Sequence, residues 1–222
     1  MNHGIEIVEI NTNQRFMKYF IIGDVHGSYF TMLKMLDHWN AQNEKLIILG
    51  DFINKGKNTL QVLSHLFQLQ HNHPNQVIIL KGNNEYLFEK YYRKNIKPSI
   101  LKQFRSHNLN YINTLYWLNQ LAHFKEFNHI LVSHAGVYVN ITQPLNQADL
   151  SLLFSKEKLR DIGKVQFLGH RVVEEAYYDK KANAWYMDTG AGNGDKLTGA
   201  KVTDKGEIEN FIVHEVDRKD IP

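Results

Sequence analysis

The chain has 222 residues, a hydrophobic content of 43% and a formal net charge of +3. This length and composition suit a globular protein and exclude an intrinsically disordered one. There is no cysteine, which excludes disulfides and thiol chemistry. No apolar stretch approaches the roughly 18 residues of a membrane-spanning helix, so we expect no membrane partner. The charge is only mildly basic, so nucleic-acid binding is not indicated, although an anionic substrate would be favoured.

The first part of the chain alternates between apolar runs and amphipathic segments. Strands are predicted at 18–23, 45–50 and 75–82, and helices at 28–41, 58–71 and 84–94. This alternation is typical of βαβ units with a largely parallel sheet. An aromatic-rich helical segment is predicted at 98–122, followed by another strand at 127–136.

The last third of the chain changes character. Residues 172–190 predict a hairpin with its turn at 179–183, and residues 196–216 predict a second hairpin. We therefore expect an α/β fold in which two sheets pack face to face with helices outside. No linker composition divides the sequence, so residues 1–222 are interpreted as a single domain with loosely attached termini at 1–16 and 214–222. The lack of a signal-peptide pattern predicts a cytoplasmic location.

Two apolar runs end in a Gly-Asp pair. Asp24 and His26 lie in GDVHG, and Asp51 lies in GDFINKG. Because sites in such sheets collect outside the carboxyl ends of the strands, these side chains are expected to lie together. Taken singly, GDVHG is equally consistent with a turn that carries a capping Asp and a surface His, and GDFINKG with a second capped turn, although the occurrence of both motifs weakens that alternative.

Three further motifs supply nitrogen and amide donors at predicted strand ends. They contain Asn83 in GNNE, His134 in SHAG and His170 in GH. Alone, Asn83 is also consistent with a helix cap, and a single His is more often structural than a ligand. Together with the two Asp motifs, these donors indicate a site for two divalent ions that cleaves phosphoesters. Glu85 fits either a charge at a helix start or a residue that supports the ligands.

The ordered series of motifs resembles the calcineurin-like metallophosphoesterases of the serine/threonine protein phosphatase type, including diadenosine tetraphosphatase-like members. The resemblance runs from about residue 18 to residue 213. It implies a two-sheet sandwich, two divalent ions and an activated hydroxide that attacks phosphorus in line. It implies the following ligands: Asp24 and His26 for one ion, Asp51 as the bridge, and Asn83, His134 and His170 for the other ion. We expect Mn²⁺, with Fe and Zn as alternatives.

The chain departs from the family pattern at one pair of residues. The family's GDxxDRG reads GDFINKG here, which places Asn54 at the Asp position, and GNHE reads GNNE, which places Asn84 at the His position. In the family, that His is the general acid for the leaving group and that Asp orients it. Both members of the dyad are therefore amides in this chain.

The expected phosphate-binding residues also differ from the family. Lys55 replaces the Arg of the second motif, and Lys156 is aligned with a second family Arg. Lysine keeps the positive charge but loses the bidentate geometry of a guanidinium. Arg171, which follows His170, is interpreted either as a replacement phosphate ligand or as a surface residue.

These features predict a metal-dependent phosphoesterase that hydrolyses phosphate monoesters in a phosphoprotein or a small molecule. General-acid catalysis is expected to be weak. Two alternatives stay open: a dinucleoside polyphosphate hydrolase, and a catalytically weak protein that binds a phosphorylated ligand. The sequence does not indicate an oligomeric state.

Overall fold

The computed structural model describes residues 18–94, 97–141 and 144–222. It contains ten strands within those ranges: β1 Lys18–Ile22, β2 Glu44–Ile48, β3 Val77–Ile79, β4 Phe124–Glu126, β5 Ile130–Ser133, β6 Val165–Leu168, β7 Tyr177–Asp179, β8 Ala184–Tyr186, β9 Lys196–Val202 and β10 Ile208–Glu215. Six α-helices accompany them: α1 Tyr29–Leu36, α2 Thr59–Asn72, α3 Asn83–Lys94, α4 Pro98–Ser106, α5 Tyr111–Gln120 and α6 Ser151–Phe154. None of the helices in these ranges is long and apolar enough to cross a bilayer.

The strands form two five-stranded mixed sheets. The first has the order β10-β9-β1-β2-β3, and the second has the order β4-β5-β6-β8-β7. Strands β1, β2 and β3 are mutually parallel, as are β5, β6 and β8. Both predicted C-terminal hairpins are present, as antiparallel β7–β8 and β9–β10. The predicted two-sheet α/β fold is confirmed.

Alternation along β1 and β2 explains why the two sheets pack together. Phe20 and Ile22 face an apolar cluster that includes buried residues of α1, α2, α3, α4 and α5. Their neighbours Ile21 and Ile47 face the opposite way, into a cluster with Val132 and other residues of the second sheet. Successive strand side chains point to opposite faces, so an all-apolar strand must be covered on both sides.

The predicted helical region at 98–122 is present, in two parts. It forms two helices, because Asn108 adopts a left-handed conformation with φ of 57° and interrupts the helical path. The side chain of Asn110 then accepts a hydrogen bond from the Asn113 amide and caps α5. Strand β4 was not predicted at all, since its three residues are largely exposed and show no apolar alternation.

The expectation of a loose C-terminal segment at 214–222 was wrong. Asp220 is buried and accepts hydrogen bonds from residues of α1, and its amide closes a turn onto the Asp217 carbonyl. The segment is therefore attached to the fold by polar contacts that could not be predicted from its composition. The other expected loose segment, residues 1–16, lies outside the described residues.

Candidate metal centre

The five predicted motifs meet where the parallel strands of both sheets end. Backbone hydrogen bonds join their loops: the His26 amide donates to the Asp51 carbonyl at 2.9 Å, and the Gly169 amide donates to the His134 carbonyl at 3.0 Å. The loops are thus held against one another before any side chain is considered. This arrangement follows from the parallel register, which brings the carboxyl ends of neighbouring strands to one edge.

A first group of metal-type donors consists of Asp24, His26 and Asp51. One ligand atom from each lies within 4.8 Å of the others. The Nε2 atom of His26 lies 3.7 Å from Asp51 Oδ2 and 3.9 Å from Asp24 Oδ2. Two donors that each lie about 2.1 Å from one ion are roughly 3–4 Å apart, so these separations fit a shared cation.

A second group consists of Asp51, His134 and His170, again within 4.8 Å. Asn83 joins it, because its Oδ1 atom lies 3.0 Å from both His134 Nε2 and His170 Nδ1. His134 Nε2 lies 3.5 Å from Asp51 Oδ1. The two groups therefore share Asp51, one carboxylate oxygen of which faces each group.

Backbone carbonyls orient two of the imidazole rings. The Nδ1 atom of His26 donates to the Ile53 carbonyl, and the Nδ1 atom of His134 donates to the Leu49 carbonyl, both at 3.1 Å. Each bond leaves the lone pair of Nε2 directed toward the carboxylates, which is the tautomer that ligates a metal. Burial and the neighbouring His134 lower the pKa of His170 to about 4, so His170 is neutral at physiological pH.

Three of the candidate ligands have left-handed backbone conformations. His26 and Asp51 have φ of 45°, and His170 has φ of 65°. Such conformations cost about 1–3 kcal/mol each in residues other than glycine, and they persist only where the surrounding structure enforces them. Their concentration at one site indicates that the fold gives up stability in order to direct these side chains inward.

Glu85 is the main residue that holds the Asp51 loop. Its Oε2 atom accepts hydrogen bonds from the amides of Asp51 and Gly82 at 2.8 Å, and Oε1 accepts from Phe52 at 3.0 Å and Ile53 at 3.2 Å. Burial and the charge of Asp51 raise the pKa of Glu85 to about 8. Both interpretations of Glu85 therefore hold, since it also stands in the first turn of α3, and the loop amides that reveal its supporting role have no sequence signature.

The donor atoms fit a cation in one further respect. Asp24 is buried, and its Oδ1 atom has no hydrogen-bond partner. Burial, followed by the charges of Asp188 and Asp51, raises the pKa of Asp24 well above its ordinary value. Buried acidic oxygens this close together repel one another unless a positive charge lies between them. Sequence reasoning missed Asp188, which stands in a Gly-rich stretch with no ligand pattern of its own.

Two glycines allow the loops to approach the carboxylates. A Cβ atom on Gly169 would lie 1.8 Å from Asp24 Oδ1, and one on Gly82 would lie 2.2 Å from Asp51 Oδ1. No side chain fits at these distances, so glycine is required at both positions by close approach.

The two Asn residues at the predicted dyad positions do contact each other. Asn54 Nδ2 donates to Asn84 Oδ1 at 2.9 Å, and Asn84 Nδ2 donates to Asp51 Oδ2 at 2.5 Å. The backbone amide of Asn84 also donates to Asp51 Oδ1 at 2.8 Å. These bonds form a chain from Asn54 through Asn84 to Asp51, and it contains no group that can act as an acid near neutral pH.

The three predicted phosphate-binding residues differ in their placement. Lys55 Nζ lies 3.2 Å from His26 Nε2, whereas Lys156 acts on the donors only through its charge, which after burial and His134 helps to lower the pKa of His170. The guanidinium of Arg171 instead donates to the Glu157 carbonyl and lies 5.7 Å from the centre of the Tyr186 ring. Phosphate binding stays a prediction for all three residues.

The sequence matches the calcineurin-like phosphoesterase family over residues 17–200. It is 32% identical over 130 residues to a symmetrical bis(5'-nucleosyl)-tetraphosphatase of Buchnera aphidicola subsp. Baizongia pistaciae (strain Bp). That match covers 55% of this chain and 45% of the relative. Over a shorter stretch of 66 residues it is 33% identical to the serine/threonine-protein phosphatase 6 catalytic subunit of Caenorhabditis elegans, covering 29% and 20% of the two chains. The chain thus aligns with less than half the length of these curated relatives.

Solved structures share the fold. The crystal structure of a candidate diadenosine tetraphosphatase superposes with a TM-score of 0.70 at 17% identity, covering 93% of this chain and 96% of that one. A serine/threonine phosphatase of Saccharomyces cerevisiae superposes with a TM-score of 0.63 at 15% identity, covering 96% and 83%. The two-sheet architecture and the family match over 17–200 agree, so the chain belongs to the metal-dependent calcineurin-like phosphoesterases.

Proposed function

We propose that this protein hydrolyses phosphoesters at a two-metal centre and depends on substrates whose leaving groups need little protonation. The observation that carries the proposal is that two donor groups share Asp51. In the proposed centre, Asp24 and His26 hold one ion, Asp51 bridges, and Asn83, His134 and His170 hold the other. Mn²⁺ is the proposed metal, with Fe and Zn as alternatives, because the donors mix carboxylate and amide oxygens with imidazoles. Two such ions lower the pKa of a water molecule and neutralise phosphoryl oxygens.

The chain's own residues prepare the site before substrate arrives. Glu85 fixes the Asp51 loop through three amides, and the Ile53 and Leu49 carbonyls set the tautomers of His26 and His134. Lys55, whose ammonium group lies beside His26, is proposed to contact a substrate phosphate and stabilise the negative charge on it. Arg171 is already engaged by Glu157 and Tyr186, so we do not assign it a phosphate contact.

Asn84 decides which substrates react quickly. A general acid typically contributes about 10²–10⁴-fold to a rate, and an amide cannot donate a proton to an alkoxide. The leaving groups of aryl phosphates and phosphoanhydrides depart without that protonation, whereas the serine alkoxide of phosphoserine needs it. The proposed activity is therefore slower than that of a complete dyad enzyme on alkyl phosphates.

A dinucleoside polyphosphate hydrolase is the second candidate. Two observations favour it: the similarity to a symmetrical bis(5'-nucleosyl)-tetraphosphatase, and the suitability of a phosphoanhydride leaving group for a site with Asn84. A third candidate, a protein that binds phosphorylated ligands without hydrolysing them, is favoured only by the altered dyad.

Purified protein, stripped with chelator and reloaded with Mn²⁺, tests the proposal. We expect close to two ions per chain by elemental analysis, and turnover of p-nitrophenyl phosphate that chelator abolishes. Diadenosine tetraphosphate and a phosphoserine peptide, assayed side by side, separate the first two candidates. Two bound ions without turnover of any of these substrates would favour the binding protein, and failure to retain Mn²⁺ would contradict the metal centre itself.

A further inference from the structure

The segment after β10 ends in a buried carboxylate. Asp220 is 1% exposed. Its Oδ1 atom accepts hydrogen bonds from the Phe30 amide at 3.0 Å and from Asn58 Nδ2 at 2.9 Å, and its Oδ2 atom accepts from the amide of Thr31 at 2.9 Å and from the Thr31 hydroxyl at 2.8 Å. All the acceptor positions of this carboxylate are thus used.

These bonds supply α1 with a cap that its local sequence lacks. Ser28 stands at the N-cap position but makes no capping hydrogen bond, and its hydroxyl is buried without a partner. The first turn also contains no acidic residue. Phe30 and Thr31 carry amides that a cap normally satisfies, and a negative charge there interacts favourably with the helix dipole. Asp220 provides both from the far end of the chain.

The same segment holds the start of α2. Asn58 occupies its N-cap position and makes no side-chain cap of its own. Instead, Asn58 Nδ2 donates to the Lys219 carbonyl as well as to Asp220, and the Lys57 amide donates to the Asp220 carbonyl, both at 2.9 Å. One residue therefore ties the N-termini of two helices together.

Both helix starts directly follow loops that carry candidate metal ligands. The chain runs from Asp24 and His26 into α1, and from Asp51 into α2. The two loops are joined by hydrogen bonds from the Gly56 amide to the His26 carbonyl at 2.8 Å and from the Asn58 amide to the Gly27 carbonyl at 3.1 Å. A shift of either helix start would be passed on to the ligands.

We propose that Asp220 is a positioning residue for the metal centre, which holds the two ligand loops in place through the starts of α1 and α2. The inference rests on the proposed function in that the loops must bind metal for the effect to be seen. Asp220 lies outside residues 17–200, so the family match does not include it.

Titration of metal-free protein with Mn²⁺ tests this role. We expect Asp220→Ala to raise the dissociation constant of Mn²⁺ by about 10-fold or more, as loss of a supporting contact commonly does. Asp220→Asn should fall between Asp220→Ala and the unaltered protein, because its amide oxygen keeps half of the acceptor positions. Leu118→Ala, a truncation in the buried core of α5, is the matched control for loss of stability.

At a temperature where every variant is folded, Leu118→Ala should bind Mn²⁺ as the unaltered protein does. Equal affinity of Asp220→Ala and the unaltered protein would overturn the proposal. So would an equal loss in Leu118→Ala, since destabilisation alone would then explain the result.

Hydrogen exchange separates failure of this inference from failure of the metal centre. If the unaltered protein binds no Mn²⁺, the proposed function fails, and the role of Asp220 is then judged from exchange alone. The amides of His26, Gly27 and Gly56 should exchange about 10-fold faster in Asp220→Ala, while those of β5 and β6 keep their rates. Unchanged exchange in the loops would show that Asp220 does not hold them.

Discussion

The metal side and the leaving-group side of the candidate site differ in the kinds of residue that they contain. On the metal side, buried Asp and His residues converge on Asp51, with tautomers and loops fixed by carbonyls and by Glu85. On the leaving-group side, two amides and exposed Lys55 occupy the positions that the family resemblance assigns to a His-Asp dyad and an Arg. Under the proposed function, preparing the nucleophile and protonating the leaving group are separable tasks, since the donors for the first are grouped around Asp51 whereas the second lacks an acid.

The largest effect is expected from the residue that both metal groups share. Asp51→Asn should lower kcat/KM by about 10³-fold or more, equivalent to roughly 4 kcal/mol of transition-state stabilisation, because the amide removes the bridging charge. Steady-state assay on p-nitrophenyl phosphate, with bound Mn²⁺ measured in parallel, checks this. Asp37→Asn, an exposed carboxylate outside the site, is the control and should change neither quantity. Normal activity in Asp51→Asn would show that Asp51 does not bridge the metal ions.

A large effect is also expected from the leaving group itself. Aryl phosphates should react about 10²-fold faster or more than alkyl phosphates, and the rate should fall steeply across substituted aryl phosphates as the leaving group becomes more basic. The reason is that the series of hydrogen bonds from Asn54 through Asn84 to Asp51 contains no acid. The slope is read from kcat/KM under conditions in which chemistry limits the rate. A flat dependence would reveal another proton donor.

Restoring the His-Asp dyad should give the leaving-group side the acid that it lacks. Asn84→His alone should help little, because the imidazole needs a partner to fix its tautomer, and Asn54→Asp would supply one from the position that already contacts residue 84. The double variant should gain up to about 10²-fold on an alkyl phosphate, more than the two single variants combined. A double-mutant cycle on one alkyl and one aryl phosphate measures the coupling. Additive effects, or equal gains on both substrates, would show that these positions do not form a dyad.

The smallest effects distinguish the cations around the site. Lys55→Ala should raise KM for the phosphate ester by about 10-fold, since its ammonium group lies beside His26. Arg171→Ala should change KM by less than about 3-fold, because its guanidinium is bound to the Glu157 carbonyl and stacked near Tyr186. Both variants are assayed at saturating Mn²⁺. A larger effect for Arg171 than for Lys55 would reverse the proposed assignment of phosphate contacts.

Much of the fold could be predicted because the buried strands are continuous apolar runs that end at Gly-Asp or His motifs. The two-sheet architecture and the convergence of the six candidate ligands follow from that pattern and from parallel register. Strand β4 was missed because its residues are mostly exposed, and its place in the second sheet is set by antiparallel pairing with β5. The interruption between α4 and α5 depends on one left-handed residue, Asn108, which hydrophobic periodicity does not detect.

The supporting contacts of the site were harder to predict than the ligands. Glu85 binds four amides from two loops, and Asp188 acts on Asp24 through charge at a position remote in the sequence. Asp220 caps a helix from the opposite end of the chain. Such contacts depend on tertiary geometry, and a single acidic residue in a polar segment carries no pattern that would announce them.

The closeness of Gly169 to Asp24 and of Gly82 to Asp51 has a consequence for saturation mutagenesis. In a map of tolerated substitutions, both glycines should be as intolerant of change as the ligands. Neither glycine, however, has a side-chain atom that could bind a metal. Even alanine would force Asp24 or Asp51 out of its position. A search for ligands that relied on intolerance alone would therefore count two backbone positions among them, and only the nature of the residue would reveal the difference.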